Sequence, residues 1–165
     1  MLTQEYVKKI FDYDTESGIL TNKIYRSSNS PAGSRAGAFD HYGYRQLTVK
    51  GRNYKEHRII YLWMTGAMPV HGIDHINGIK DDNRWINLRD ATTSENMRNR
   101  KMSSNNTSGF TGVVWFKPIK KWFASVEMLG KKHSLGYFDD INEAAKVVHV
   151  FKMKNGFTAR HGIEK

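Results

Sequence analysis

The chain is 165 residues long, with a formal net charge of +10, 39% hydrophobic residues and no cysteine. That length makes one large domain or two small ones, and the apolar and aromatic content excludes wholesale disorder. Absence of cysteine rules out disulfides and thiolate metal sites, while a cationic surplus of this size points to a polyanion, nucleic acid before anionic membrane. No apolar run is long enough to span a bilayer, and Met1-Leu2-Thr3-Gln4-Glu5 lacks the pattern of a secretory signal. An intracellular, cytoplasmic protein without membrane contact is therefore expected.

Residues 3–12 predict a short amphipathic helix capped by Thr3, with Val7, Ile10 and Phe11 on one face. Asp14 to Gly18 breaks the pattern, and a strand is expected at Ile19-Leu20-Thr21. Ser27 to Gly37 forms a polar loop turned by Pro31 and Gly33. Alternation over 44–49, a turn at Lys50-Gly51-Arg52 and resumption at Tyr54 predict a β-hairpin. A helix runs from His57 to Met64 and stops at Gly66. His57, entering an apolar helix, is assigned a packing role, and His71 a place on the surface.

The next stretch departs from anything packing requires. Gly72-Ile73-Asp74-His75 predicts a short strand running into an Asn-, Asp- and Gly-rich loop, 77–83. A second strand is expected around Ile86-Asn87-Leu88. Thr92 and Glu95 match a capping box for a helix reaching about Lys101, with Asn96 near its start. A carboxylate, an imidazole and two carboxamides in this order supply oxygen donors for a hard cation and one general base. A neutral imidazole can accept a proton near neutral pH, so His75 is the candidate base. Asp82 or Asn83 could supply a further ligand, but both are expected to hold the loop.

Asp74-His75-x-Asn77-Gly78, then Asp82-Asn83, Asn87-Leu88-Arg89-x-Ala91-Thr92 and Asn96 resemble the HNH homing-endonuclease family, including its phage-type members with a His-Arg pair at 57–58. The resemblance implies a ββα-metal module that hydrolyses phosphodiester bonds in double-stranded DNA, in the cytoplasm of a phage-infected bacterium. It implies His75 as general base, Asn87 orienting that imidazole directly or through its supporting backbone, and Asp74 with Asn96 holding one cation. Asn96 stands where the family often has His. Two oxygen ligands suit Mg²⁺, with Mn²⁺ as substitute, better than Zn²⁺.

Residues 97–138 carry eight Lys or Arg against one acid, Glu127. After a Ser/Asn/Thr/Gly linker at 103–109, strands are expected at Phe110–Phe116, Trp122–Leu129 and His133–Phe138, then a helix from Ile141 to about Lys154 capped by Asp140. Trp122, Ala124, Val126 and Met128 should share one sheet face, opposite Lys121, Phe123, Ser125 and Glu127. Trp115 and Trp122 are assigned to the core. Gly112-Val113, Lys121-Trp122, Leu135 to Asp139 and Glu143-Ala144-Ala145 resemble the Apetala/ethylene-response-factor DNA-binding domain, which lays a three-stranded sheet in the major groove. Two arginines typical of that domain are replaced by Thr111 and Val114, so base specificity does not transfer. Arg98, Arg100, Lys117, Lys121 and Lys132 are the candidate phosphate contacts.

The expected fold is α+β: an N-terminal helix and hairpin region (1–56), the HNH module (57–102), the linker (103–109) and the sheet-plus-helix domain (110–165). The expected partner is duplex DNA, bound by a monomer or weak oligomer. The rival readings are a DNA-binding regulator with an inert HNH module, and a basic RNA-binding protein using exposed Phe123.

Overall fold

The computed structural model describes residues 2–158 and 161–162 and is of mixed α+β class, as expected. The chain divides into two compact units, 1–91 and 92–165. This division falls inside the stretch 57–102 expected as one module. No described helix is long and apolar enough to cross a membrane.

In the first unit, α1 (Gln4–Ile10) is capped by Thr3, whose hydroxyl accepts the Tyr6 N–H. It leads into the antiparallel pair β1 (Phe11–Tyr13) and β2 (Leu20–Asn22). A three-stranded antiparallel sheet follows, ordered β3 (Ala38–Phe39), β4 (Arg45–Val49), β5 (Arg52–Lys55). Lys50 and Gly51 both take positive φ, which gives the two-residue turn whose twist suits a hairpin. Helix α2 (Glu56–Thr65) ends on left-handed Gly66, whose N–H closes back on the Leu62 carbonyl.

Val7, Ile10, Phe11, Leu20, Leu47, Val49, Ile59, Ile60 and Leu62 make the buried core of this unit. Each such side chain contributes roughly 1.5–3 kcal/mol through removal from water. Strands β6 (Gly72–His75) and β7 (Leu88–Ala91) then pair antiparallel, setting Asp74 opposite Arg89 and His75 opposite Leu88.

The expected strand at Ile86-Asn87-Leu88 is corrected. Trp85–Asn87 is a single 3₁₀ turn, and β7 starts only at Leu88. The turn lets Ile86 swing out, 83% exposed, while Asn87 stays buried. A strand would have kept the apolar Ile86 within the ladder.

In the second unit, α3 spans only Thr93–Met97 rather than reaching Lys101. The capping box is present: Thr92 Oγ1 accepts the Glu95 N–H and Glu95 returns to the Thr92 N–H. The helix ends because the chain tightens after Asn96, with the Arg98 N–H shared between the Ser94 and Glu95 carbonyls and the Asn99 N–H on Asn96. Strands β8 (Val113–Phe116), β9 (Lys121–Met128) and β10 (Lys131–Phe138) form an antiparallel sheet with β9 in the middle. The first strand starts at Val113 rather than Phe110, because residues 106–112 are held in local turns by Asn106 and Ser108.

Helix α4 (Ile141–Lys154) is capped by Asp140, which accepts the Asn142 and Glu143 N–H groups. Ala144 and Val148 of α4 meet Val113, Ala124 and Val126 in a second buried core. Trp122 packs against that core, but Trp115 does not reach it. It is 45% exposed and stacks edge-on against Trp122 at 5.0 Å. Its place in the core is thus corrected.

Candidate active site

Four elements of the first unit converge on His75. The residue closes β6 and is buried, with Asp74 buried beside it. The imidazole Nε2 meets Asn83 Oδ1 at 2.9 Å, and Asn83 Nδ2 donates to Glu56 Oε2 at 2.9 Å. Arg45 Nε lies 3.3 Å from the same Glu56 oxygen, while its Nη2 donates to the Ala36 and Gly37 carbonyls. The His57 ring stands edge-on to His75 at 5.1 Å, and Tyr44 lies 5.9 Å from it.

Burial, opposed by the Asn83 hydrogen bond, holds His75 below the usual imidazole range. His57 is pushed down to about 3, first by burial and then by the neighbouring His75. Both rings are therefore neutral near pH 7. His57 has the packing role assigned from sequence, filling the wall behind the His75 ring.

Asn87 acts on the loop rather than on the ring. Its Oδ1 accepts the Asn77 N–H at 2.9 Å, and its Nδ2 donates to Asn77 Oδ1 at 2.9 Å and to the Asp82 carbonyl at 2.7 Å. The Asn87 carbonyl also accepts the Ile76 N–H. It thus ties both ends of the 77–83 loop. Asp82 is occupied by Arg84 and Asn77, and the Arg84 pairing holds its carboxyl down to about 2. As expected, it holds the loop.

Asp74 Oδ2 accepts from Arg89 at 3.0 and 2.7 Å. These two contacts aim the carboxylate, an oxygen donor of the kind that fits a hard divalent cation with a water-rich shell. Among the described residues there is no cluster of three His, Cys, Asp or Glu side chains able to hold a metal. Asn96 lies in the second unit, exposed on α3, with its backbone engaged by Thr92 and Asn99. Asp74, His75 and Asn87 are thus brought together in the first unit, and Asn96 belongs to the other.

The candidate phosphate contacts also lie in the second unit. Arg100 and Lys117 are exposed, Lys121 pairs with Asp139 at 3.0 Å, and Lys132 sits 5.2 Å over the Phe123 ring. Arg98 is half-buried, its guanidinium 5.8 Å from the Phe157 ring.

Sequence reasoning missed Glu56. As the first residue of α2 it reads as an ordinary first-turn acid, yet it is fully buried. Burial pushes its carboxyl up from 4.5 to about 7, against the pull of Arg45 and Arg35. The folded protein therefore holds a proton that the unfolded chain releases. That stabilisation is complete below the unfolded value and is lost as pH rises through the folded one. Glu56→Gln removes it, so the stability of wild type relative to this variant should fall by roughly 3 kcal/mol between about pH 5 and about pH 8. Paired urea melts at the two pH values measure the difference, in which the opposing titration of His57 cancels. A pH-independent difference would contradict it.

A sequence profile of the HNH endonuclease family matches residues 54–98. Protein 3.8 of Escherichia phage T7 is 32% identical over 106 residues, covering 62% of this chain and 88% of that protein. A solved structure titled "DNA binding and cleavage by the HNH homing endonuclease I-HmuI" aligns with a TM-score of 0.40 at 20% identity, over 56% of this chain and 54% of the other. This chain thus spans about half the length of that one. The segment matched by the profile contains Glu56, His57, Asp74, His75, Asn83, Asn87 and Asn96. The chain belongs to the family of phage T7 protein 3.8 and carries an HNH endonuclease domain.

Proposed function

We propose that the protein is a metal-dependent endonuclease that hydrolyses phosphodiester bonds in double-stranded DNA, with His75 as general base. The observation that carries this reading is a neutral, buried imidazole fixed at the end of β6, beside the Arg89-paired carboxyl of Asp74, inside the HNH segment. His75 takes a proton from the attacking water, and the oxygen so activated forms a bond to phosphorus. The P–O3′ bond breaks, the 3′ oxygen collects a proton from solvent, and His75 returns its own. Asn87 keeps the loop beside the base closed throughout.

Asp74 and Asn96 are the oxygen ligands assigned to one divalent cation, Mg²⁺ or Mn²⁺. When bound, such a cation supplies Lewis-acid relief of charge on phosphate oxygens. Arg89 aims the Asp74 carboxylate for this task. The sheet of the second unit is assigned to the duplex, with Lys117, Lys121 and Lys132 on phosphates and Arg98 and Arg100 beside them, following the Apetala/ethylene-response-factor resemblance. Association through these cations should weaken steeply with salt.

Supercoiled plasmid incubated with protein and Mg²⁺ should yield relaxed or linear product, and chelator should suppress it. No product from several DNAs, with duplex binding intact, would make the protein a DNA-binding regulator with an inert HNH module.

A further inference from the structure

The buried contacts behind His75 define a second role in the site. We propose that Asn83, backed by Glu56 and Arg45, is a positioning residue that fixes His75 as the Nε2–H tautomer and leaves Nδ1 as the deprotonated nitrogen. The inference rests on the reading of His75 as general base and adds which side chains of this protein hold the ring in its working tautomer.

The polarity of the chain of contacts is set from its far end. Arg45 Nε faces Glu56 Oε2 at 3.3 Å as an ion pair without a hydrogen bond, and a cation there disfavours a proton on that oxygen and leaves it an acceptor. That oxygen, Oε2, then takes the Asn83 amide N–H at 2.9 Å. With its nitrogen committed to Glu56, Asn83 must turn its carbonyl oxygen toward His75, where the separation is again 2.9 Å. A carboxamide oxygen only accepts, so the imidazole nitrogen facing it must carry the proton. A neutral imidazole with Nε2 protonated has its lone pair on Nδ1.

A simpler role for Asn83, as a turn residue of the 77–83 loop, leaves its side chain unexplained. Its backbone is already held, with the carbonyl accepting from the Tyr13 hydroxyl at 2.7 Å and the N–H donating to Asp81 at 3.0 Å. The side chain is 1% exposed and spans from helix α2 to strand β6. Burying an ionisable acid beside a guanidinium costs several kcal/mol, and an apolar set of the same volume would stabilise the fold as well or better. What the polar set supplies that leucines cannot is an acceptor held at one face of the His75 ring.

The test reads the tautomer directly. Long-range ¹H–¹⁵N correlation spectra of the full chain labelled with ¹⁵N-histidine report which imidazole nitrogen of His75 is protonated. The wild type should show Nε2–H. Asn83→Ala should shift His75 to a tautomer mixture and lower kcat by about 10–100-fold, with KM for duplex DNA changed less than about twofold. Glu56→Gln, which still offers an amide oxygen to Asn83, should keep the Nε2–H tautomer and rescue most of the turnover relative to Asn83→Ala.

An Nδ1–H tautomer in the wild type would overturn the proposal without any variant having to fold. So would Asn83→Ala with the Nε2–H tautomer and turnover intact. His75→Ala separates the underlying reading: unimpaired cleavage by that variant sinks the general-base assignment, whatever the tautomer spectrum shows.

Discussion

His75→Ala should lower the rate of DNA cleavage by about 10³-fold, within the range a general base contributes, while duplex affinity stays near that of the wild type. The rate loss follows from the state of the ring. Burial favours the neutral ring, the form competent to accept a proton, and alanine removes that capacity altogether. Asp74 does not take over, because its Oδ2 is engaged by two contacts from Arg89 and the carboxylate is assigned to the cation. His57 is 5.1 Å away ring to ring, and its own basicity is suppressed further, to about 3. Affinity is spared because the cations assigned to phosphate contacts lie in the second unit. Single-turnover cleavage and filter binding at one salt concentration measure the two quantities. Cleavage by the variant at the wild-type rate would remove His75 from the reaction.

What could be read from the sequence divides along the range of the interactions concerned. Thr3, Gly66, the Thr92–Glu95 box and Asp140 were legible because a cap bonds residues two to four positions away, so the pattern is local. The three-stranded sheet and α4 were legible because alternation in β9 sets Ala124 and Val126 inward and needs no knowledge of the partner. Ile86-Asn87-Leu88 reads as a strand because it alternates apolar and polar, and only the bonds of Asn87 to Asn77 and Asp82 show why the chain turns there. The motif pointed to Asp74, His75 and Asn87, which the fold does gather. Asn83 was legible only as a loop residue, and Glu56 not at all, because their contact crosses 27 positions and answers to no periodicity. The one available signal was the pairing of an acid with an apolar helix start, and first-turn acids are too common to single it out.

Gly18→Ala should destabilise the first unit by about 3–5 kcal/mol, combining the cost of a left-handed backbone with that of a forced backbone shift. Gly18 has φ of 73°, a conformation in which an alanine is strained before any contact is counted. An added Cβ would overlap the Arg84 backbone nitrogen and stand 2.6 Å from the Asn83 carbonyl carbon, and neither atom belongs to a side chain that could rotate away. The approach is this close because the turn between β1 and β2 lies against the end of the 77–83 loop, where the Thr15 carbonyl accepts the Trp85 N–H and the Tyr13 hydroxyl donates to the Asn83 carbonyl. Relief of the overlap must therefore move residues 83 and 84, and with them the amide that faces His75. The variant should lose cleavage at temperatures where it is still folded, and thermal melts run beside cleavage assays would show activity failing first. If activity and fold were lost together, along one melting curve, the turn would be holding the unit as a whole and not the loop behind the imidazole in particular.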